Sequence, residues 1–138
     1  MKRVLQFLIV SIGISFSSLN TAQTDLLAGV YSQSQAARGE EQYRARCVSC
    51  HGNDLRGNSN SPGLVGLSFL FLWEGRTIGE LFEKMRNEMP TDNPASLPAQ
   101  SYSDILAYIL SVNGYPAGDA DLGISVEAMK RITIVATP

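Results

Sequence analysis

The sequence predicts an all-α fold of three to four helices, on three observations. Segments rich in helix-forming residues recur along the chain, one of them opens with a capping-box pattern, and runs of Gly, Pro, Asn and Ser separate them. A length of 138 residues suits one domain.

The first element is a leader. Met1, Lys2 and Arg3 precede an almost entirely apolar run from Val4 to Phe16, and Ser, Asn, Thr and Ala follow. That is the layout of a secretory signal, and the run is shorter than the ~20 residues that span a bilayer. Cleavage is therefore expected near Ala22, giving a signal over 1–22 and one domain over 23–138, with its core at about 36–118 and a tail over 119–138. The expected location is periplasmic, with no membrane span after cleavage. No cysteine lies near the cut, which excludes lipid attachment there. Losing Lys2 and Arg3 leaves nine basic residues against 13 acidic ones, a formal charge of −4. A mildly acidic chain without Lys or Arg runs has no electrostatic footprint for nucleic acid.

From Ala36 to Cys50 the segment AARGEEQYRARCVSC places Tyr43, Cys47 and Cys50 at helical spacing, which predicts a helix ending at Gly52. The stretch 52–66 reads as an extended loop. Thr77 with Glu80 three residues on forms a capping box, and the helix it opens must stop at Pro90. TDNPASLPAQ reads as a second loop. Ser101 and Asp104 are expected to cap the last clear helix, Ile105, Tyr108, Ile109 and Val112 to form its apolar stripe, and Gly114 to end it. Past Tyr115 the pattern weakens, and the apolar run Ile132 to Val135 is compatible with packing on the body or with a loose end.

The chain's two cysteines and its single histidine fall together as Cys47-Val-Ser-Cys50-His51. This is the attachment pattern for c-type haem. Two thiols three positions apart reach the two vinyl groups on one porphyrin edge, while the next residue turns its imidazole under the iron. A small disulfide or a redox-active dithiol would use the same sulfurs but leaves His51 unexplained. Structural zinc wants four ligands, and this segment offers three.

Iron held by one histidine needs a partner on its other side, and without a second histidine the candidates are thioethers. Met1 leaves with the signal and Met129 lies in the tail, so the choice is between Met85 and Met89. Met89 is preferred, because it precedes Pro90, where the helix ends and the backbone is free to turn. Met85 sits mid-helix as a core residue.

The pattern Gly39-x-x-x-Tyr43-x-x-x-Cys47-x-x-Cys50-His51-Gly52, joined by Met89-Pro90, resembles the class I cytochromes c over roughly Ala36 to Gly118. The resemblance implies a cytochrome c fold wrapped around one covalently bound haem c. It also implies a crossing of first and last helices at Gly39 and Tyr108, and a Pro62 carbonyl that accepts a hydrogen bond from His51. Expected wall residues are Leu64, Phe69, Leu72, Leu81, Ile105 and Ile109. Arg56 and Arg76 are candidates for the haem propionates or ordinary solvated arginines, and Trp73 is expected near the haem or in the core.

Within that family, MPTDNPASLPAQSYSDILAYILSVNGYPAG is similar to the cytochrome subunits and domains that accompany quinoprotein alcohol dehydrogenases, which use pyrroloquinoline quinone; the tail from Tyr115 to Ile134 is similar as well. The expected function is one-electron transfer without catalysis. A quinoprotein dehydrogenase would be the donor and an oxidase or another cytochrome the acceptor. The competing reading is a haem enzyme or gas sensor with an open sixth position.

Overall fold

In the computed structural model, which describes residues 25–137, a 3-10 turn at Leu26–Ala28 leads into six α-helices. These are α1 (Gln33–Arg46), α2 (Val48–His51), α3 (Gly66–Trp73), α4 (Ile78–Glu88), α5 (Ala99–Val112) and α6 (Val126–Met129). Among the described residues there is no strand, only isolated bridges such as Thr77 with Thr133. The expected signal segment lies outside the described residues. None of the described helices is long and apolar enough to cross a membrane.

Helix α1 starts three residues before the position the sequence suggests, because the Ser32 hydroxyl accepts the Gln35 N–H at 3.0 Å and caps it. It buries Gln35, Ala36, Gly39 and Tyr43 along one stripe. The uninterrupted helix expected up to Gly52 breaks at Cys47, and α2 resumes as a single turn that Gly52 ends with φ +80°. Helix α3 is absent from the sequence prediction. Its segment GLSFLFLW is apolar nearly throughout, so no polar face marks a helical period, and only Phe69 and Trp73 are buried.

The capping box of α4 is present in full. Thr77 Oγ1 accepts the Glu80 N–H at 3.2 Å, and Glu80 Oε2 accepts the Thr77 N–H at 2.9 Å. These bonds, with the Arg76 guanidinium nearby, hold the Glu80 carboxyl below its ordinary range. At α5 the expected cap is replaced: the helix begins at Ala99, and the Pro98 carbonyl accepts the Ser101 and Tyr102 N–H groups. Proline's fixed φ suits that position. Asp104 serves elsewhere, accepting from Gln35 Nε2 at 3.1 Å, Gln100 Nε2 at 2.8 Å and Arg38 Nε at 3.3 Å. Val112, expected in the buried stripe, is exposed; Leu106 and Leu110 are buried instead, because α5 is covered on most of its circumference.

Helices α1 and α5 cross at backbone contact. A Cβ on Gly39 would lie 1.8 Å from the Asp104 carbonyl oxygen and 2.9 Å from Tyr108 Cβ, so only glycine fits. One turn further on, the Tyr43 and Tyr108 rings meet with centroids 5.5 Å apart.

Of the two outcomes open for the tail, the structure takes the packed one. Ile132 and Ile134 pair their backbones with the segment before α4: Ile78 N–H donates to Ile132 O at 3.0 Å, and Ile134 N–H to Arg76 O at 2.7 Å. Met129 and Ile134 are buried, and Tyr115 donates its hydroxyl to Val135 O at 2.5 Å. Near the N-terminus, Tyr31 donates to Tyr115 O at 2.6 Å. Gln35 grips the same tail, donating to Leu122 O at 2.9 Å and accepting its N–H at 2.6 Å.

Gly39→Ala forces the α1–α5 crossing apart and is expected to cost about 1–3 kcal/mol, or on the order of 4 °C of melting temperature per kcal/mol in a domain of this size. A thermal melt followed by circular dichroism checks it, and an unchanged midpoint would show that the helices separate freely. Burial raises the phenol pKa values of Tyr31, Tyr43 and Tyr115 above the usual value of about 10. Above that pH the unfolded chain has lost those protons while the folded one retains them, so stability falls as pH rises. In an alkaline titration these phenolates should appear late and together with loss of helix. Ionisation near pH 10 with helix intact would contradict the burial argument.

Candidate functional site

Cys47 stands at the junction of two helices, and its backbone (φ −119°, ψ −28°) turns the chain so that α2 departs from the line of α1. One turn then carries both thiols and the imidazole. Three ties hold that turn. Tyr43 donates its hydroxyl to Gly52 O at 2.7 Å, Asn58 Nδ2 donates to Cys50 O at 2.8 Å, and the His51 ring nitrogen Nδ1 lies 2.9 Å from Pro62 O.

The last of these decides the tautomer. A carbonyl only accepts, so Nδ1 carries the proton, and in the neutral ring Nε2 keeps a free lone pair. The loop returns to bring Pro62 there because Gly57 allows it: with φ +70°, a Cβ would sit 2.2 Å from Ser61 O and 2.6 Å from the Pro62 carbonyl carbon. Asn113 at the end of α5 fastens the far side of the loop, donating to Leu64 O at 2.9 Å and accepting the Gly66 N–H at 2.9 Å. This asparagine carried no recognisable sequence signal.

These residues border a cavity of about 360 Å³, lined mainly by apolar side chains. That size falls within the roughly 300–1,000 Å³ of small-molecule and cofactor sites. Cys47, Cys50, His51 and Pro62 come to it from the α2 side, and Met85 and Met89 from α4 and its exit. Leu64, Phe69, Leu72, Leu81, Ile105 and Ile109 are all in its wall, and Trp73 joins them. Arg56 and Arg76 are not among the lining residues. The first pairs with Asp54 at 3.7 Å, and the second lies 4.5 Å over the Trp73 ring while pairing with Glu80. The cations that do border the cavity are Arg46 and Lys84, which sequence reasoning missed because surface lysines and arginines look alike in one dimension.

On α4 the lining positions Leu81 and Met85 are four residues apart on one side of the helix, and Met89 follows just past its end. Met89 is the first residue past the helix and has extended geometry (φ −119°, ψ 150°); its N–H still bonds to Met85 O at 3.0 Å. Tyr102, missed in the sequence, enters the lining from α5 and donates its hydroxyl to Met89 O at 2.6 Å.

Burial, and then the neighbouring Cys50, push the Cys47 thiol up to about 11. A redox dithiol depends on a lowered thiol pKa, so this environment opposes that reading. Among the described residues no group of three or more His, Cys, Asp and Glu is placed to hold a metal ion. An apolar chamber with a half-buried Cys47 and an exposed Cys50 at its edge and an imidazole oriented by a carbonyl fits a covalently attached porphyrin better than either.

Residues 34–109 match the family described as cytochrome C oxidase, cbb3-type, subunit III. No curated protein matches the chain. Among solved structures, the sulfane dehydrogenase SoxCD from Paracoccus pantotrophus is similar, with a TM-score of 0.51 and 19% identity over 90% of this chain and 68% of that one. At that identity the likeness shows a shared fold. The family match covers more than half of the chain, so the protein belongs to this family of class I cytochromes c, which carry covalently bound haem c and transfer electrons.

Proposed function

We propose that Cys47 and Cys50 would form the two thioether links to haem c, that His51 Nε2 and the Met89 thioether would ligate its iron, and that the chain is a periplasmic one-electron carrier. The observation that carries this reading is the 2.9 Å contact between His51 Nδ1 and Pro62 O, beside both thiols at the edge of one cavity. It frees Nε2 for metal and strengthens its donation. Haem bound there supplies an iron that takes up and releases one electron.

The chain's own residues do the rest. The apolar wall keeps water from the iron, and a soft thioether favours the ferrous state, so His51 with Met89 sets a raised potential. With His51 and Met89 both holding the iron, no position would be left for a substrate, which would separate a carrier from a haem enzyme. Met89 is favoured over Met85 because its extended backbone is released from helical geometry, whereas Met85 is held within α4. Cys50 is exposed, so the rim around it is the natural approach for a partner, through the small interface typical of transient redox pairs. The leader-like run from Val4 to Phe16 supports export, and the similarity of segment 89–118 to cytochromes of quinoprotein alcohol dehydrogenases supports such an enzyme as donor, with an oxidase or another cytochrome as acceptor.

The matured protein should show a low-spin ferric spectrum with a sulfur-to-iron charge-transfer band and slow carbon monoxide binding when reduced. A high-spin spectrum with rapid binding would favour an enzyme or gas sensor with an open sixth position. Met89→Ala should keep the haem attached, abolish the band and lower the potential; Met85→Ala should retain the band and reduce stability by about 1–2 kcal/mol, less than for a fully buried methionine because the side chain is half-buried. The reverse pattern would transfer the ligand role to Met85. A purified quinoprotein dehydrogenase supplied with its alcohol should reduce the processed protein, and failure to do so would remove that donor.

A further inference from the structure

The loop between α4 and α5 has exposed residues from Thr91 to Ser96, and both of its ends run to one buried atom. Tyr102 on α5 is 1% exposed and borders the cavity. Its hydroxyl donates to Met89 O at 2.6 Å, where the loop begins, and accepts the Leu97 N–H at 3.4 Å, where the loop ends. The ring is carried by the helix that packs against α1 across Gly39, so the clamp is anchored in the most tightly apposed part of the fold.

Between those two ends, the loop's internal tie is a single-turn bond from Asn93 N–H to Pro90 O. The Met89 carbonyl has left the helix and has no intrahelical partner to take the place of the phenol. From this arrangement we propose that Tyr102 is a positioning residue for the distal ligand: its hydroxyl pins the Met89 backbone to α5 and so holds the thioether in place. The proposal rests on the reading of Met89 as that ligand. In this role the phenol touches the backbone of the ligand residue, and its effect reaches the iron only through Met89.

Tyr102→Phe removes one oxygen and preserves the ring's packing. Losing the bond leaves the Met89 carbonyl without its partner, and release of the methionine by an incoming ligand becomes easier by about the worth of one such bond, roughly tenfold in an equilibrium constant. The test titrates ferric holoprotein with imidazole, which competes for the sixth position, and follows the sulfur-to-iron band. Tyr102→Phe is expected to retain covalent haem and to bind imidazole about tenfold more tightly. Tyr115→Phe is the control, since it removes an equally short hydroxyl bond, to Val135 O, at a residue that does not border the cavity. It is expected to lower the melting temperature and leave imidazole affinity unchanged. Unaltered imidazole binding in Tyr102→Phe overturns the proposal, as does an equal gain in Tyr115→Phe, which would indicate general loosening. If the unaltered protein lacks the band, the Met89 reading fails and the clamp fails with it; a band present with unchanged affinity removes the clamp alone.

Discussion

With no side chain on Gly39, the backbone of α1 presses against the Asp104 carbonyl of α5, and the positions of the other elements follow from that approach. Helix α1 ends in the turn that carries Cys47, Cys50 and His51, while α5 supplies Tyr102, Ile105 and Ile109 to the cavity. A crossing wider by one methyl group would move the thiols and the imidazole away from that wall. The contact is reinforced on one flank by the Tyr43–Tyr108 ring pair and on the other by Gln35 and Arg38 bound to Asp104. Gln35 and Asp104 are buried while Arg38 is exposed, and among the described residues no buried side-chain nitrogen or oxygen lacks a hydrogen-bond partner.

Around the cavity, the polar ties act mainly on the backbone. Tyr43 holds Gly52, Asn58 holds Cys50, Pro62 orients His51, Asn113 holds Leu64 and Gly66, and Tyr102 holds Met89 and Leu97. A fold whose centre is given over to a cofactor has few side chains of its own to interlock there, so its frame is fixed by hydrogen bonds at the edge. A fixed frame also suits electron transfer, because ligands that scarcely move between oxidation states leave little to rearrange when the charge changes. The apolar lining leaves little room for water, whose reorientation would otherwise add to the cost of a charge change there.

The tail contributes to the same frame from the other side. Its backbone pairs with the segment that opens α4, and Gly79 lets Lys130 come so close that a Cβ would lie 2.7 Å from its backbone nitrogen. The helix bearing Met85 is thereby held at its start by the tail and at its exit by Tyr102. Among the described residues, Leu67 and Phe71 on α3 are 85% and 90% exposed, while Phe69 and Trp73 of the same helix face inward.

What the sequence by itself determined is what short-range chemistry determines. The thiols and imidazole are adjacent along the chain, the Thr77–Glu80 box and the break before Pro90 are local, and helical periodicity in α1 and α5 needs no partner to be read. The cysteine–histidine cluster and the two methionines were therefore legible as candidates, as was the helical class. Tertiary structure alone decided the rest. It began α5 at Ala99, capped by the Pro98 carbonyl, while Asp104 went to Gln35, Gln100 and Arg38, and it made a helix of the uniformly apolar 66–73. It also docked the tail by pairing Ile132 and Ile134 with residues more than fifty positions away, and put Arg46 and Lys84, rather than Arg56 and Arg76, at the cavity. The physical reason is common to all of these: a cap, a pairing or a cavity wall depends on which distant group arrives first to satisfy a donor, an acceptor or an apolar face, and a linear sequence does not record distance in space.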